Sequence, residues 1–276
     1  MSSSIPEQPR AVVTGAASGL GRAFCIELAR RKARVLAADI NLAGAEETAR
    51  LVTAAGGTAI ATRCDVSRPE EVERLAAEIE SAYGGADLLV NNAGVAVSGQ
   101  VGTVPLADWQ WIMGVNLWGV IYGCHSFLPR FKTRGSGHVI NVASTAGLVA
   151  TPELGPYNVT KSAVVALSET LHAELEGTGV GVTVLCPTFF KTNIGRAARS
   201  SSVGVGPEDV EKLMDRTTIQ APEVARFALA TADAGHLFAL PHADGRWAWR
   251  LKRLVPETFQ GFLLPRAAAA VKRARK

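Results

Sequence analysis

The stretch that most constrains the fold runs from Ala11 to Ala29. Ala11-Val12-Val13-Thr14 is a short β-branched strand, and Gly15, Gly19 and Gly21 follow it at GxxxGxG spacing. A helical pattern then continues through Phe24, Ile26, Leu28 and Ala29. Strand, glycine-rich turn and helix form the geometry in which a helix N-terminus meets a pyrophosphate. Glycine is needed where backbone must approach a phosphate closely and where φ is positive. The spacing differs from the common GxGxxG fingerprint. A turn that serves packing alone is the bland alternative, and the flanking strand and helix argue against it.

Downstream, strand and helix patterns alternate almost to the end of the chain. Arg34 to Ala38 is a second strand with Asp39 at its end. A carboxylate there can accept hydrogen bonds from ribose hydroxyls and repels a 2′-phosphate. Neither Ile40 nor Asn41 is a base, and Ser18 fills a position in the glycine turn where a base could hold that phosphate. NAD is therefore expected over NADP, although a simple helix-capping role for Asp39 is compatible with the same place.

A helix from Leu42 to Ala55 closes at Gly56-Gly57, and the strand Thr58 to Arg63 leads to Asp65-Val66. Ser67 is the predicted cap of the next helix, which runs to about Tyr83. The strand Asp87 to Val90 precedes Asn91-Asn92-Ala93-Gly94, a turn whose side-chain amides can tie neighbouring strands. Leu106 to Phe131 reads as one long helical stretch containing Asn116. That amide is either structural or part of a relay, and leaving it unsatisfied would cost about 1–3 kcal/mol. A fifth strand, His138 to Ala143, delivers Ser144. The next helix carries Tyr157 and Lys161, Val180 to Cys186 is a sixth strand, and His236 to Leu240 is a last short one.

Strands joined by helices pair in parallel through right-handed crossovers, and ligands bind beyond the strand C-termini. The expected fold is a Rossmann-type, doubly wound parallel α/β sheet of about seven strands in a single domain, with a basic C-terminal helical tail. The expected organisation is a flexible tail over 1–9, a dehydrogenase-like domain over 10–242 containing a substrate loop at 187–215, and a basic amphipathic extension over 243–276. Gly15, Asp39, Asp65, Asn91, Ser144 and Pro187 all follow strands, so they are expected to converge on one sheet edge.

Composition narrows the class. Of 276 residues, 47% are hydrophobic and 20% charged, the profile of a soluble globular protein. No apolar leader or membrane-length run is visible. Cys25, Cys64, Cys124 and Cys186 are scattered without metal-ligand spacing, so a reducing cytoplasm with buried thiols, and no metal, is expected. The net charge of +4 hides an asymmetry: from Arg246 onward there are nine bases and one acid, while the rest is mildly acidic. The body therefore has no charge signature for nucleic acid.

Tyr157 and Lys161 sit at i and i+4, one turn apart on one helix face. A cation so placed is expected to lower the phenol's pKa from about 10 and bring it towards proton transfer near neutrality. Ser144 can set a hydroxyl beside it. Taken together, Thr14-Gly15-xxx-Gly19-x-Gly21, Asp65-Val66, Asn91-Asn92-Ala93-Gly94, Asn116, Ser144 and Tyr157-xxx-Lys161 resemble the short-chain dehydrogenase/reductase family over about residues 10 to 240.

The resemblance implies Tyr157 as general acid/base, Lys161 as its tuner and a ligand of the nicotinamide ribose, Ser144 as the substrate-orienting hydroxyl, and Asn116 as holder of a relay water. It implies a cofactor lined by Gly15, Ser18, Gly19, Leu20, Gly21, Asp39, Asp65, Val66, Asn92, Ala93 and Gly94. Pro187 and Thr192 complete that lining, with Pro187-Thr188 standing where the family often has Pro-Gly. It also implies a homodimer or homotetramer.

The apolar residues Val95, Leu148, Leu154, Phe189 and Phe190 are the expected substrate walls, suited to a small hydrophobic alcohol or ketone, or else packed in the core. The expected function is NAD-dependent interconversion of a hydrophobic secondary alcohol and its ketone. The alternatives are an NADPH-dependent ketone reductase and a non-catalytic dinucleotide-binding protein docked through its tail. Trp247, Leu251, Leu254 and Val255 fall on one face of a helix in that tail. Packing against a neighbouring subunit is the preferred reading of this face, and peripheral contact with an anionic membrane is the second.

Overall fold

The computed structural model describes residues 5–188, 190, 194, 199–200 and 217–266. Phe189, Thr192, most of the expected substrate loop and the last ten residues lie outside the described residues. The elements that build the sheet are β1 (Arg10–Thr14), α1 (Gly19–Ala29), β2 (Arg34–Asp39), α2 (Leu42–Ala54), β3 (Thr58–Arg63), α3 (Pro69–Tyr83) and β4 (Leu88–Asn91). A two-residue β5 (Val97–Ser98) follows, then α4 (Leu106–Met113), α5 (Gly119–Arg134), β6 (Gly137–Val142), a single turn α6 (Thr145–Leu148), α7 (Gly155–Glu174) and β7 (Val180–Leu185). The remaining elements used below are β8 (Arg199–Ser200), α8 (Ala221–Asp233), β9 (Phe238–Ala239) and α9 (Ala243–Leu254).

Among the described residues, seven strands form one parallel sheet in the order β3-β2-β1-β4-β6-β7-β9. Strand order reverses between β1 and β4, the place where open α/β sheets leave a crevice for ligands.

The sheet is covered on both faces, which is why its central strands are almost wholly apolar. Alternate residues of β1 divide between the layers. Val12 enters a core with Leu75, Ile79, Phe127 and Phe131, while Ala11 and Val13 enter one with Phe24, Leu28, Val224 and Leu229. All four cysteines are buried as free thiols.

Three local expectations are corrected. The stretch Leu106 to Phe131 is not one regular helix: a π-helical turn, Gly114–Trp118, separates α4 from α5 and contains Asn116. Such turns accommodate one extra residue and re-aim the side chains that follow. Ser67 does not cap α3. Arg68 takes the cap position, and the Ser67 hydroxyl donates instead to Asp65 Oδ1 at 2.7 Å. Asp39 does not cap α2 either, because Asn41 does so by accepting from the Gly44 N–H.

Candidate active site

The glycine turn and the turns after β4 and β6 lie where the sheet register puts them, at the C-terminal ends of adjacent parallel strands. After β1, Gly15 and Gly19 adopt φ values of +67° and +52°. A Cβ on Gly21 would overlap the Gly15 carbonyl oxygen, so only glycine lets α1 start this close to the strand. Ser18 precedes α1 in extended conformation and makes no side-chain cap, which leaves the first N–H groups of the helix available to a ligand. Leu20 turns its side chain into the core, so this residue can offer a ligand its backbone alone. The Asp39 carboxylate is fixed by the Ala17 N–H at 2.9 Å and the Asn41 N–H at 2.9 Å.

Asn92 ties this turn to β4. Its Nδ2 donates to the Thr14 carbonyl at 2.8 Å and to the Gly15 carbonyl at 3.2 Å. Thr14 Oγ1 in turn accepts from the N–H groups of Asn92 and Ala93. The amides after β4 therefore pin strands together, as their chemistry suggested. Asp65 accepts from the N–H and hydroxyl of Ser67, and Val66 is buried against Gly119.

Asn116 is fully buried and completely engaged. Its Oδ1 accepts from the Val95 N–H at 2.8 Å, and its Nδ2 donates to the Val95 carbonyl at 2.9 Å and to Thr160 Oγ1 at 3.3 Å. It thus shapes the loop after β4 while touching α7 next to Lys161. A Cβ on Gly94 would lie 3.4 Å from Asn116 Oδ1 and 3.6 Å from Lys161 Nζ, so these three residues meet.

Ser144 follows β6 and caps α6: its Oγ accepts from the Ala146 N–H at 3.1 Å and donates to the Pro187 carbonyl at 3.4 Å. α6 is pressed onto α7 because Gly147 has no side chain, and a Cβ there would come 2.5 Å from the Lys161 carbonyl oxygen. That contact brings Ser144 over Tyr157 and Lys161. Lys161 Nζ donates to the Val142 carbonyl at 2.8 Å and lies 5.7 Å from the centre of the Tyr157 ring.

The expected fall of the phenol's pKa is not what this geometry produces. Burial pushes Tyr157 up to about 12, opposed by its hydrogen bond with Ser144. Burial likewise pushes Lys161 down to about 8. Both shifts have one cause: a weakly polar surrounding favours the neutral form of an acid and of a base alike. Desolvation outweighs the attraction between ammonium and phenolate here.

The expected substrate walls divide. Val95 and Tyr157 both pack against a small cluster of Val97, Val104 and Ile112, and Leu154 is partly covered where it bridges Gly99. Leu148 and Phe190 are each 7% exposed and belong to the two cores, so they support the site from behind instead of presenting a surface. Pro187 is buried behind Ser144.

Sequence reasoning missed Gly147 and His242. His242 accepts from the Thr188 N–H through Nδ1 at 3.3 Å and donates from Nε2 to the Ile219 carbonyl at 3.3 Å. Burial lowers its pKa, consistent with the neutral tautomer those bonds require. A small residue between Ser144 and the α7 start was the available signal for Gly147. The partners of His242 are too distant in the chain to have been inferred.

Known proteins share this architecture. Residues 9–202 match the family model for short chain dehydrogenases. The probable oxidoreductase EphD of Mycobacterium tuberculosis is 36% identical over 200 residues, covering 72% of this chain and 34% of EphD. This chain thus spans about a third of the length of EphD. The putative oxidoreductase SadH of the same organism is 34% identical over 218 residues, 78% of this chain and 79% of SadH. A short chain dehydrogenase/reductase from Burkholderia phymatum, crystallised in complex with NAD, superimposes with a TM-score of 0.85 at 32% identity, covering 91% of this chain and 94% of that one.

Proposed function

The chain belongs to the short-chain dehydrogenase/reductase family, and from that premise we propose that it is an oxidoreductase that uses a nicotinamide dinucleotide and interconverts a hydrophobic secondary alcohol and its ketone with NAD(H). The observation that carries the reading is the meeting of Asn116, Ser144, Tyr157 and Lys161 beside the glycine turn and Asp39, at one sheet edge. A protein that only held a dinucleotide would have no use for the partly buried phenol and its serine partner.

The residues present fit the cofactor. Gly15, Ser18, Gly19, Leu20 and Gly21 leave a cradle without side chains in front of open helix N–H groups, the arrangement that takes a pyrophosphate. Asp39 is oriented by two backbone donors and can accept from ribose hydroxyls. Asp65 and Val66 suit the adenine end, and Asn92, Ala93, Gly94, Lys161 and Pro187 suit the nicotinamide end. When bound, the nicotinamide supplies the one step that side chains cannot, uptake or delivery of a hydride.

The side chains do the rest. Tyr157 Oη takes the hydroxyl proton in oxidation and returns it to the carbonyl oxygen in reduction. Ser144 Oγ hydrogen-bonds the same substrate oxygen and holds it towards the phenol. Lys161 stabilises the phenolate once formed, and Asn116 keeps the Val95 loop and α7 in register. Among the described residues, Val95 and Leu154 offer an apolar approach, and the cations beside it, Lys161 and Arg199, are engaged by the Val142 carbonyl and by Asp108. Assay of a mixed panel of alcohols and ketones by NADH absorbance tests the reading; a preference for sugars or charged acids overturns the substrate class.

Cofactor choice rests on Asp39. Asp39→Ala is expected to move the ratio of NADP to NAD affinity by about tenfold or more towards NADP, because one charge-assisted hydrogen bond and one repulsion disappear together. Titrating both reduced cofactors by fluorescence checks this. An unchanged ratio would remove the basis for NAD.

A further inference from the structure

The outward face of α9 is a feature that catalysis leaves unexplained. Trp247, Leu251, Leu254 and Val255 stand at i, i+4, i+7 and i+8 and are 68%, 40%, 78% and 40% exposed. The other side of the helix is firmly seated. Trp249 packs on Phe238 with ring centres 4.9 Å apart, and Lys252 Nζ donates to the Leu148 carbonyl at 2.7 Å. Gly245 fits against Thr145 and Thr188, where a Cβ would be 2.8 Å from each. The helix therefore cannot roll to hide its apolar stripe without breaking these contacts.

Charge decides what covers the stripe. Arg246 and Lys252 are spent on backbone carbonyls of the body. Arg250 and Arg253 are exposed, and each guanidinium lies near a tryptophan ring, Arg250 at 5.9 Å from Trp247 and Arg253 at 5.3 Å from Trp249. From Arg246 to the end of the sequence nine bases face a single acid, Glu257. A second copy meeting this face through a two-fold axis would bring two such segments together, with one acid each to offset the repulsion. An anionic bilayer meets the same face with opposite charge and also accepts tryptophan and leucine at its headgroup boundary.

We propose that the Trp247-Leu251-Leu254 stripe of α9, rimmed by Arg250 and Arg253, docks this protein on an anionic lipid surface. Because Lys252 reaches the end of α6, the turn that Ser144 caps, docking sets the active-site side of the molecule beside the bilayer. The proposal is independent of the substrate reading.

The test is flotation of the full chain with phosphatidylserine/phosphatidylcholine vesicles and with pure phosphatidylcholine vesicles, at low and high salt. The unsubstituted protein is expected to float with anionic vesicles, weakly with neutral ones, and less as salt rises. Arg250→Glu/Arg253→Glu is expected to lower the partition coefficient by about thirtyfold or more, and Trp247→Ser/Leu251→Ser/Leu254→Ser by a similar amount. Unchanged thermal melting shows that the variants remain folded. Failure to float, equal binding to neutral vesicles, or undiminished binding by either variant overturns the proposal. So does a fall in oligomer mass of the triple variant by light scattering without any vesicle binding, which assigns the stripe to a second copy.

Discussion

Tyr157→Phe is expected to lower kcat for alcohol oxidation by about 10³-fold, within the range that one positioned acid/base contributes, while NADH affinity stays within about twofold. The substitution removes one oxygen and leaves the ring that packs against the cluster of Val97, Val104 and Ile112. Stopped-flow turnover and cofactor fluorescence on the same preparation separate the two effects, and a variant that kept full turnover would sink the assignment. The pH dependence carries a sign. The phenol is held above its ordinary value and Lys161 below its own, so at neutral pH Tyr157 carries its proton. Oxidation needs the phenolate, and kcat/KM for oxidation should rise about tenfold per pH unit on the acid side of that pKa. Reduction needs the phenol and should stay flat over the same range. A flat oxidation profile would mean that proton transfer does not limit the rate or that Tyr157 is not the base.

Gly21→Ala is expected to weaken NADH binding by about 10²-fold or to prevent a stable fold. Its Cβ would overlap the Gly15 carbonyl oxygen and crowd Asn92 Nδ2, 2.6 Å away. Both are parts of a pinned turn, and relieving such overpacking typically costs about 1–3 kcal/mol. Gly102→Ala is the control, since nothing lies within 4 Å of the added carbon and its φ is not positive. Cofactor fluorescence and thermal melting of the two variants decide. Equal binding by Gly21→Ala would show that the turn tolerates a side chain and does not cradle a phosphate.

The sheet was legible because its cause is local. Apolar strands such as Ala11 to Thr14 and Val180 to Leu185 alternate with helices, and that alternation permits little except a parallel sheet covered on both faces. The grouping of Gly15, Asp39, Asn92 and Ser144 followed from the same topology, since each comes just after a strand. What sequence could not supply depends on contacts between distant segments. The π-helical turn around Asn116 adds a residue that leaves no mark on the pattern of Trp111, Val115 and Trp118. The reversal of the Tyr157 shift depends on how deeply the site is enclosed, which spacing along α7 does not encode. Leu148 and Phe190 are as apolar as any pocket wall, and only packing assigned them to the cores. The stripe on α9 was visible as a pattern, whereas its outward direction came from the seating of Trp249 and Lys252.

His242 has a consequence for redesign. By bonding both Thr188 and Ile219 it holds together the two ends of the segment between them. Closure of that segment is thus assisted by the imidazole, alongside the buried Phe190 and the pairing of Arg199 and Ser200 with β5. Doubling the length of a closed loop costs only about 0.6 kcal/mol. A change in the length of that segment is therefore expected to cost little stability so long as the histidine is kept.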